Sequence, residues 1–242
     1  DGDYSFRMPQ PISSYLLAIS AGDLVFEPIS NRVGVWAEPS VVKKAAWEFA
    51  DTEKMIVETE KMFGPYRWER YDILVLPASF PFGGMENPRL TFATPTIIVG
   101  DRSQTSLIAH ELAHSWSGNL VTNSSWKDMW LNEGFTTYVQ GRIVEAVYGK
   151  ELADMEDVIG EFDAKAEVKT LAPNMQLLAL PAMPGLDPDE ASSDIAYEKG
   201  QWFLTFLEQR YGRELFDPFL RSWFDEHAFK TATTTDFVAF YK

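Results

Sequence analysis

The chain contains no cysteine, only three histidines, and little positive charge. Without cysteine there is no disulfide and no thiolate ligand, so any metal must be held by His, Asp or Glu. The same absence does not fix the compartment. Lys and Arg number 21 against 36 Asp and Glu, giving a formal net charge of −15. That balance argues against nucleic acid and anionic membrane surfaces as partners, since both need a positive face. Long apolar runs are missing too: none approaches the ~18 residues of a membrane-spanning helix. No signal-peptide pattern is visible. A cytoplasmic location is the expectation, or a periplasmic or secreted one if a preceding segment carries a signal.

What is present suffices for a substantial core. The 242 residues are 45% hydrophobic and 14% aromatic, enough for one large domain or two small ones. The first part reads as strands and turns: Tyr15–Ile19, Val33–Trp36, Tyr71–Leu76, Leu90–Phe92 and Thr96–Val99 are short β-branched or aromatic runs bounded by Gly, Pro and Asp. One helix is expected over Val41–Phe63 with Ser40 as its N-cap, stopped by Gly64-Pro65. The second part reads as helices: one through His110 capped by Ser103, then Trp126–Tyr148, Glu151–Val168, Tyr197–Tyr211, Glu214–Asp225 and a last one capped at Thr235-Asp236. Four prolines in Pro173–Pro188 predict a long loop. Strands followed by helices predict an α+β fold, a small N-terminal sheet ahead of a mainly helical lobe.

The most informative stretch is Leu107–Trp116, which contains His110-Glu111-Leu112-Ala113-His114 in a helix-forming run. Residues four apart on a helix lie one above the other, so the two imidazoles can aim at one zinc ion. Glu111 is rotated about 100° from His110 and can reach a water at the same metal. A catalytic zinc site takes three protein ligands and an open position. His227 ends a distant helix and reads as a surface or capping residue, so the third ligand should be a carboxylate. Asp128 suits a cap, and Glu145 lies toward the solvent end of its helix. Glu133 sits in the apolar Trp130-Leu131-Asn132-Glu133-Gly134-Phe135, where an unpaired carboxylate would be costly. Chemistry alone favours Glu133.

Two separated motifs then carry a family resemblance: His110-Glu111-x-x-His114 with Glu133 after it, and the upstream Gly83-Gly84-Met85-Glu86-Asn87. The sequence resembles the aminopeptidase N family of zinc metallopeptidases, most closely its leukotriene A4 hydrolase branch. The runs Pro81–Pro88, Leu90–Phe92, Trp116–Asn123, Trp130–Gly134 and Tyr197-Glu198-Lys199-Gly200 carry the closer match.

The resemblance implies a thermolysin-like catalytic domain with one Zn2+ per chain on His110, His114 and Glu133. It makes Glu111 the general base and later proton shuttle, and Tyr197 the donor to the oxyanion. Gly83, Gly84 and Met85 would offer edge-strand backbone to an extended peptide, and Glu86 would bind its free α-amine. The implied substrates are peptides with a free N-terminus. Asp189 matches an acid tied to epoxide hydrolysis, which makes a lipid-epoxide hydrolase the second reading. Phe82, Gln140 and Ser192 depart from the vertebrate leukotriene enzyme and weigh against it. A zinc-stabilised fragment without activity is the third. Residues 1–23 resemble the last strands of a preceding β-rich domain, and 24–242 the catalytic domain. On this reading flanking domains of a parent chain are partners, and a C-terminal helical domain is absent.

Overall fold

The computed structural model of the chain describes residues 2–181 and 193–242. Strand β1 (Val25–Pro28) pairs antiparallel with β2 (Val33–Ala37), and β2 runs parallel to β3 (Tyr71–Val75). Further along the chain, β4 (Gly84–Met85) forms the outer edge beside β5 (Leu90–Ala93), giving the sheet order β1-β2-β3-β5-β4. β5 is parallel to β3 and β4 antiparallel to β5. A second, two-stranded sheet joins β6 (Val121–Asn123) to β7 (Lys230–Ala232).

The expected helix over Val41–Phe63 is two helices, α1 (Val42–Glu48) and α2 (Thr52–Phe63). The Thr52 hydroxyl donates to the Phe49 carbonyl at 2.7 Å and competes with the helical ladder there. Both halves bury the same stripe, so the apolar spacing runs through the break unmarked. Ser40 caps neither helix; Val41 precedes α1 without a side-chain cap. Two expected strands are absent. Ser14–Leu16 forms a 3-10 turn, and Pro95–Ile97 forms another, begun by Thr94, whose hydroxyl accepts from the Thr96 N–H.

Helix α3 (Ser106–Ala113) packs against β4 and β5 and starts at Thr105, not Ser103, with no side-chain cap. A 3-10 segment, Trp126–Leu131, leads into α4 (Glu133–Tyr148). Helices α5 (Lys150–Val168), α6 (Gly200–Tyr211), α7 (Arg213–Glu226) and α8 (Thr234–Tyr241) follow. Thr233 and Asp236 cap α8 reciprocally, so the N-cap lies two residues before the expected Thr235. Helix α4 is the hub of this half, in contact with α2, α3, α5 and α6. At its first turn Gly134 lies against Gly200: a Cβ on Gly134 would stand 2.7 Å from the Gly200 Cα and from the Ala196 carbonyl oxygen. No other residue permits that backbone approach. Among the described residues no helix is long and apolar enough to cross a membrane.

Arg32, in the β1–β2 turn, forks onto Glu60 of α2 at 3.1 and 2.8 Å and reaches Glu53 at 3.0 Å. The Arg32 hydrogen bonds, aided by the Tyr66 N–H, hold the Glu60 carboxyl below the usual range against a smaller opposing effect of burial. A depressed carboxylate contributes stability that is present above the unfolded pKa, about 4.5, and is lost as pH falls through the folded value. The pair is partly buried and still reached by solvent, so its worth is on the order of 1 kcal/mol. The urea midpoint should therefore fall on acidification below about pH 4.5, and Glu60→Gln should flatten that part of the profile.

Candidate metal centre and cleft

Helix α3 ends at Ala113, but His114 keeps helical backbone (φ −57°, ψ −20°), so the four-residue spacing still stacks the two imidazoles. Their ring centroids lie 4.9 Å apart. Glu133, the first residue of α4, places Oε2 at 3.4 Å from Nε2 of both His110 and His114. That is too long for a good hydrogen bond, and this buried oxygen has no hydrogen-bond partner. Ligand atoms about 2.1 Å from a tetrahedral zinc stand about 3.4 Å from one another. Spacing, donor types and the orphaned carboxylate oxygen all fit a bound divalent cation.

The far side of each imidazole is tied to neutral acceptors. His110 Nδ1 meets Gln140 Oε1 at 2.9 Å. His114 Nδ1 lies 3.0 Å from Asn132 Oδ1 and 3.1 Å from the Ser117 carbonyl oxygen. In the neutral rings that bind a metal, those protons sit on Nδ1 and both Nε2 lone pairs face the centre.

Strand β4 forms the wall opposite α4. A Cβ on Gly84 would stand 2.3 Å from Glu111 Oε1, so only glycine lets this edge lie against the buried carboxylate. Glu86 follows β4 directly, is buried, and accepts from the Tyr15 hydroxyl at 3.3 Å. The ligand atoms of Glu86, Glu111 and His114 fall within 4.8 Å of one another, as do those of His110, His114 and Glu133. The Tyr197 ring lies near-parallel to His110 at 6.0 Å, on a π-helical turn, Ile195–Lys199, that leads into α6. These residues line one open cavity of about 620 Å³, together with Gly83, Met85, Phe82, Trp126, Met129, Asn132 and Gln140.

Three buried carboxylates and two imidazoles share this space, and their proton affinities respond. Burial raises the Glu111 carboxyl to about 7 against the pull of the two histidines. Burial acts to raise Glu133 as well, but His114 and His110 outweigh it and hold it at about 2. Burial acts to lower His114, and Glu133 and Glu86 overcome it, pushing it up to about 10. Burial, and then the Glu133 and Glu86 charges, push the Tyr197 phenol far above its usual range, so it stays a protonated donor. The cluster as a whole attracts cations.

Of the residues selected from sequence, the structure brings together His110, Glu111, His114, Glu133, Gly83, Gly84, Met85, Glu86 and Tyr197. Asp189 lies outside the described residues, as does Ser192. The other candidate third ligands are elsewhere: Asp128 Oδ1 accepts from the Thr234 N–H and hydroxyl, and Glu145 pairs with Arg213. His227 ends α7, where its Nδ1 meets the Trp223 carbonyl oxygen and its ring packs on Trp223. Tyr15 and Asn132 were not foreseen as cleft residues, and Gln140 was not foreseen as the partner of His110. Asn132 had a usable signal, the same one that singled out Glu133: a polar side chain in an apolar neighbourhood needs a partner. Tyr15 had none, since it touches the site only through chain that is distant in sequence.

The model described as "Peptidase family M1 domain" matches residues 47–242. Leucine aminopeptidase 2 of Yarrowia lipolytica is 47% identical over 98% of this chain and 38% of its own length. Aminopeptidase B of Rattus norvegicus is 43% identical over 98% of the chain and 37% of its own length. Native yeast LTA4 hydrolase superimposes with a TM-score of 0.93 at 44% identity, over 96% of this chain and 38% of that one. The chain thus spans less than two fifths of the length of these relatives.

Proposed function

The chain belongs to peptidase family M1, and from that premise we propose that it is a thermolysin-like catalytic domain of a zinc aminopeptidase, removing N-terminal residues from peptides. The observation that carries the reading is a buried carboxylate, Glu86, at the end of an edge strand and in the same cavity as His110, His114 and Glu133. One Zn2+ per chain on those three ligands would supply Lewis acidity, polarising a carbonyl and bringing a water's pKa to about 7.

The chain's own residues do the rest. The β4 edge pairs with the backbone of an extended peptide, a strand addition in which Gly83, Gly84 and Met85 supply main-chain groups. Glu86 pairs with the α-ammonium and so sets the scissile bond one residue from the N-terminus. Glu111 Oε2, buried and without a partner, takes the proton from water and later delivers it to the leaving amine. The protonated Tyr197 hydroxyl donates to the developing oxyanion. The substrate class is peptides with a free N-terminus. With a net charge of −15, nucleic acid and anionic membranes stay outside the proposal.

The test is a fluorogenic aminoacyl amide beside its N-acetylated form. We expect kcat/KM to fall by about 10²- to 10³-fold on acetylation, and Glu86→Gln to lose most of that discrimination. Equal cleavage of both forms by the unmodified protein would make it an endopeptidase, and no turnover of either would leave a zinc-stabilised binding domain. The likeness to yeast LTA4 hydrolase favours a second activity, opening of a fatty-acid epoxide. Absence of a dihydroxy product from such an epoxide would dismiss it.

A further inference from the structure

Tyr15 belongs to no part of the sheet or the helical half, yet its hydroxyl sits in the cleft. Its ring packs edge-on against Trp126 at 5.2 Å. The next residue, Leu16, is buried in the 3-10 turn that holds the segment in place. The hydroxyl touches two groups: Asn132 Nδ2 at 3.2 Å and Glu86 Oε1 at 3.3 Å.

The direction of each hydrogen bond follows from the donor inventory. Asn132 Oδ1 faces His114 Nδ1 at 3.0 Å, and turning the amide over would set N–H against N–H. Its Nδ2 therefore points to Tyr15 as donor, and the Tyr15 oxygen accepts. The phenol has one proton, and it is left for Glu86. A single-direction chain results, from His114 through Asn132 and Tyr15 to one oxygen of Glu86. Among the described residues no side chain donates to the other oxygen, Oε2, and Glu86 lines the cavity.

We propose that Tyr15 is the positioning residue of the amine subsite: it holds Glu86 Oε1 and thereby presents Oε2 to the substrate's α-ammonium. The proposal rests on the aminopeptidase reading and adds a residue to it. It also makes the amine anchor answer to the metal side of the cleft, because the Asn132 amide that orients Tyr15 is itself fixed by His114.

Tyr15→Phe in the zinc-loaded protein tests this. The ring is kept, and cavity water can reach the Asn132 amide, so we expect an unchanged melting temperature and zinc content. KM for an aminoacyl amide should rise about ten-fold, with kcat changed less than three-fold. The discriminating readout is inhibition by an aminoacyl hydroxamate and by its counterpart lacking the amine. The first should bind about ten-fold more weakly to Tyr15→Phe, and the second within two-fold of the unmodified protein. A merely structural role would weaken both alike, and that result, or no change in either, overturns the proposal. Glu86→Gln run alongside separates the two levels. If it keeps full preference for the amine-bearing inhibitor, the aminopeptidase reading falls and this inference with it. If it loses that preference while Tyr15→Phe keeps it, only the inference falls.

Discussion

Glu111→Gln should lower kcat by about 10²- to 10⁴-fold while zinc content stays that of the unmodified protein. The amide has nearly the shape of the carboxylate but cannot accept a proton from water. Structural cost is small, because Glu111 Oε2 has no partner to lose and the neighbouring Gly84 leaves the same room for an amide. Metal retention follows from the ligand geometry. The two Nε2 atoms and Glu133 Oε2 form a triangle that does not involve Glu111. Steady-state kinetics with metal analysis on the same sample checks both halves. Full activity in the variant would sink the mechanism, and loss of zinc would mean that Glu111 belongs to the metal site.

Arg142→Met should destabilise the fold by about 3–5 kcal/mol, read as a drop in urea midpoint at constant slope. Arg142 is buried in the middle of α4 and forks onto both oxygens of Asp217 on α7 at 2.7 Å each. It also donates to the Tyr138 hydroxyl at 2.7 Å, which in turn donates to Glu208 of α6 at 2.5 Å. Methionine keeps much of the stem but leaves Asp217 without a counter-charge and the Tyr138–Glu208 pair without its buried cation, Glu208 keeping only Arg213 at 2.9 Å. Replacing Asp217 by Leu in the same molecule should recover part of the loss, since a missing pair costs less than half a pair. Zinc binding should weaken with stability, because the same helix begins at Glu133.

The parts of the site that were legible in sequence are those whose chemistry is local. His110 and His114 are set by one helical repeat, and Glu133 by the expense of a carboxylate among Trp130, Leu131 and Phe135. Glu86 and Tyr197 were legible only through likeness to a family, because each enters the cleft from a separate element. Gln140 was noted as a departure, and its contact with His110 depends on how α4 lies across α3. Of the main sheet, β2, β3 and β5 were readable from their β-branched and aromatic runs, β1 was not foreseen, and β4 was legible only through the resemblance; elsewhere local chemistry decided otherwise. Thr94 turned the next stretch into a 3-10 segment, and Thr52 broke one helix into two. Neither hydroxyl differs from an ordinary threonine until its carbonyl or amide partner is in view.

The meeting of Gly134 and Gly200 has a geometric consequence. Glu133 is the residue before one glycine, and Tyr197 precedes the other by three, so each side chain hangs on a short arm from a single backbone-to-backbone junction. Sliding of α4 against α6 would have to open that junction. A side chain at either glycine would thus shift the proposed metal ligand Glu133 relative to the proposed oxyanion donor Tyr197, and the pair of glycines sets the width of the cleft at that point.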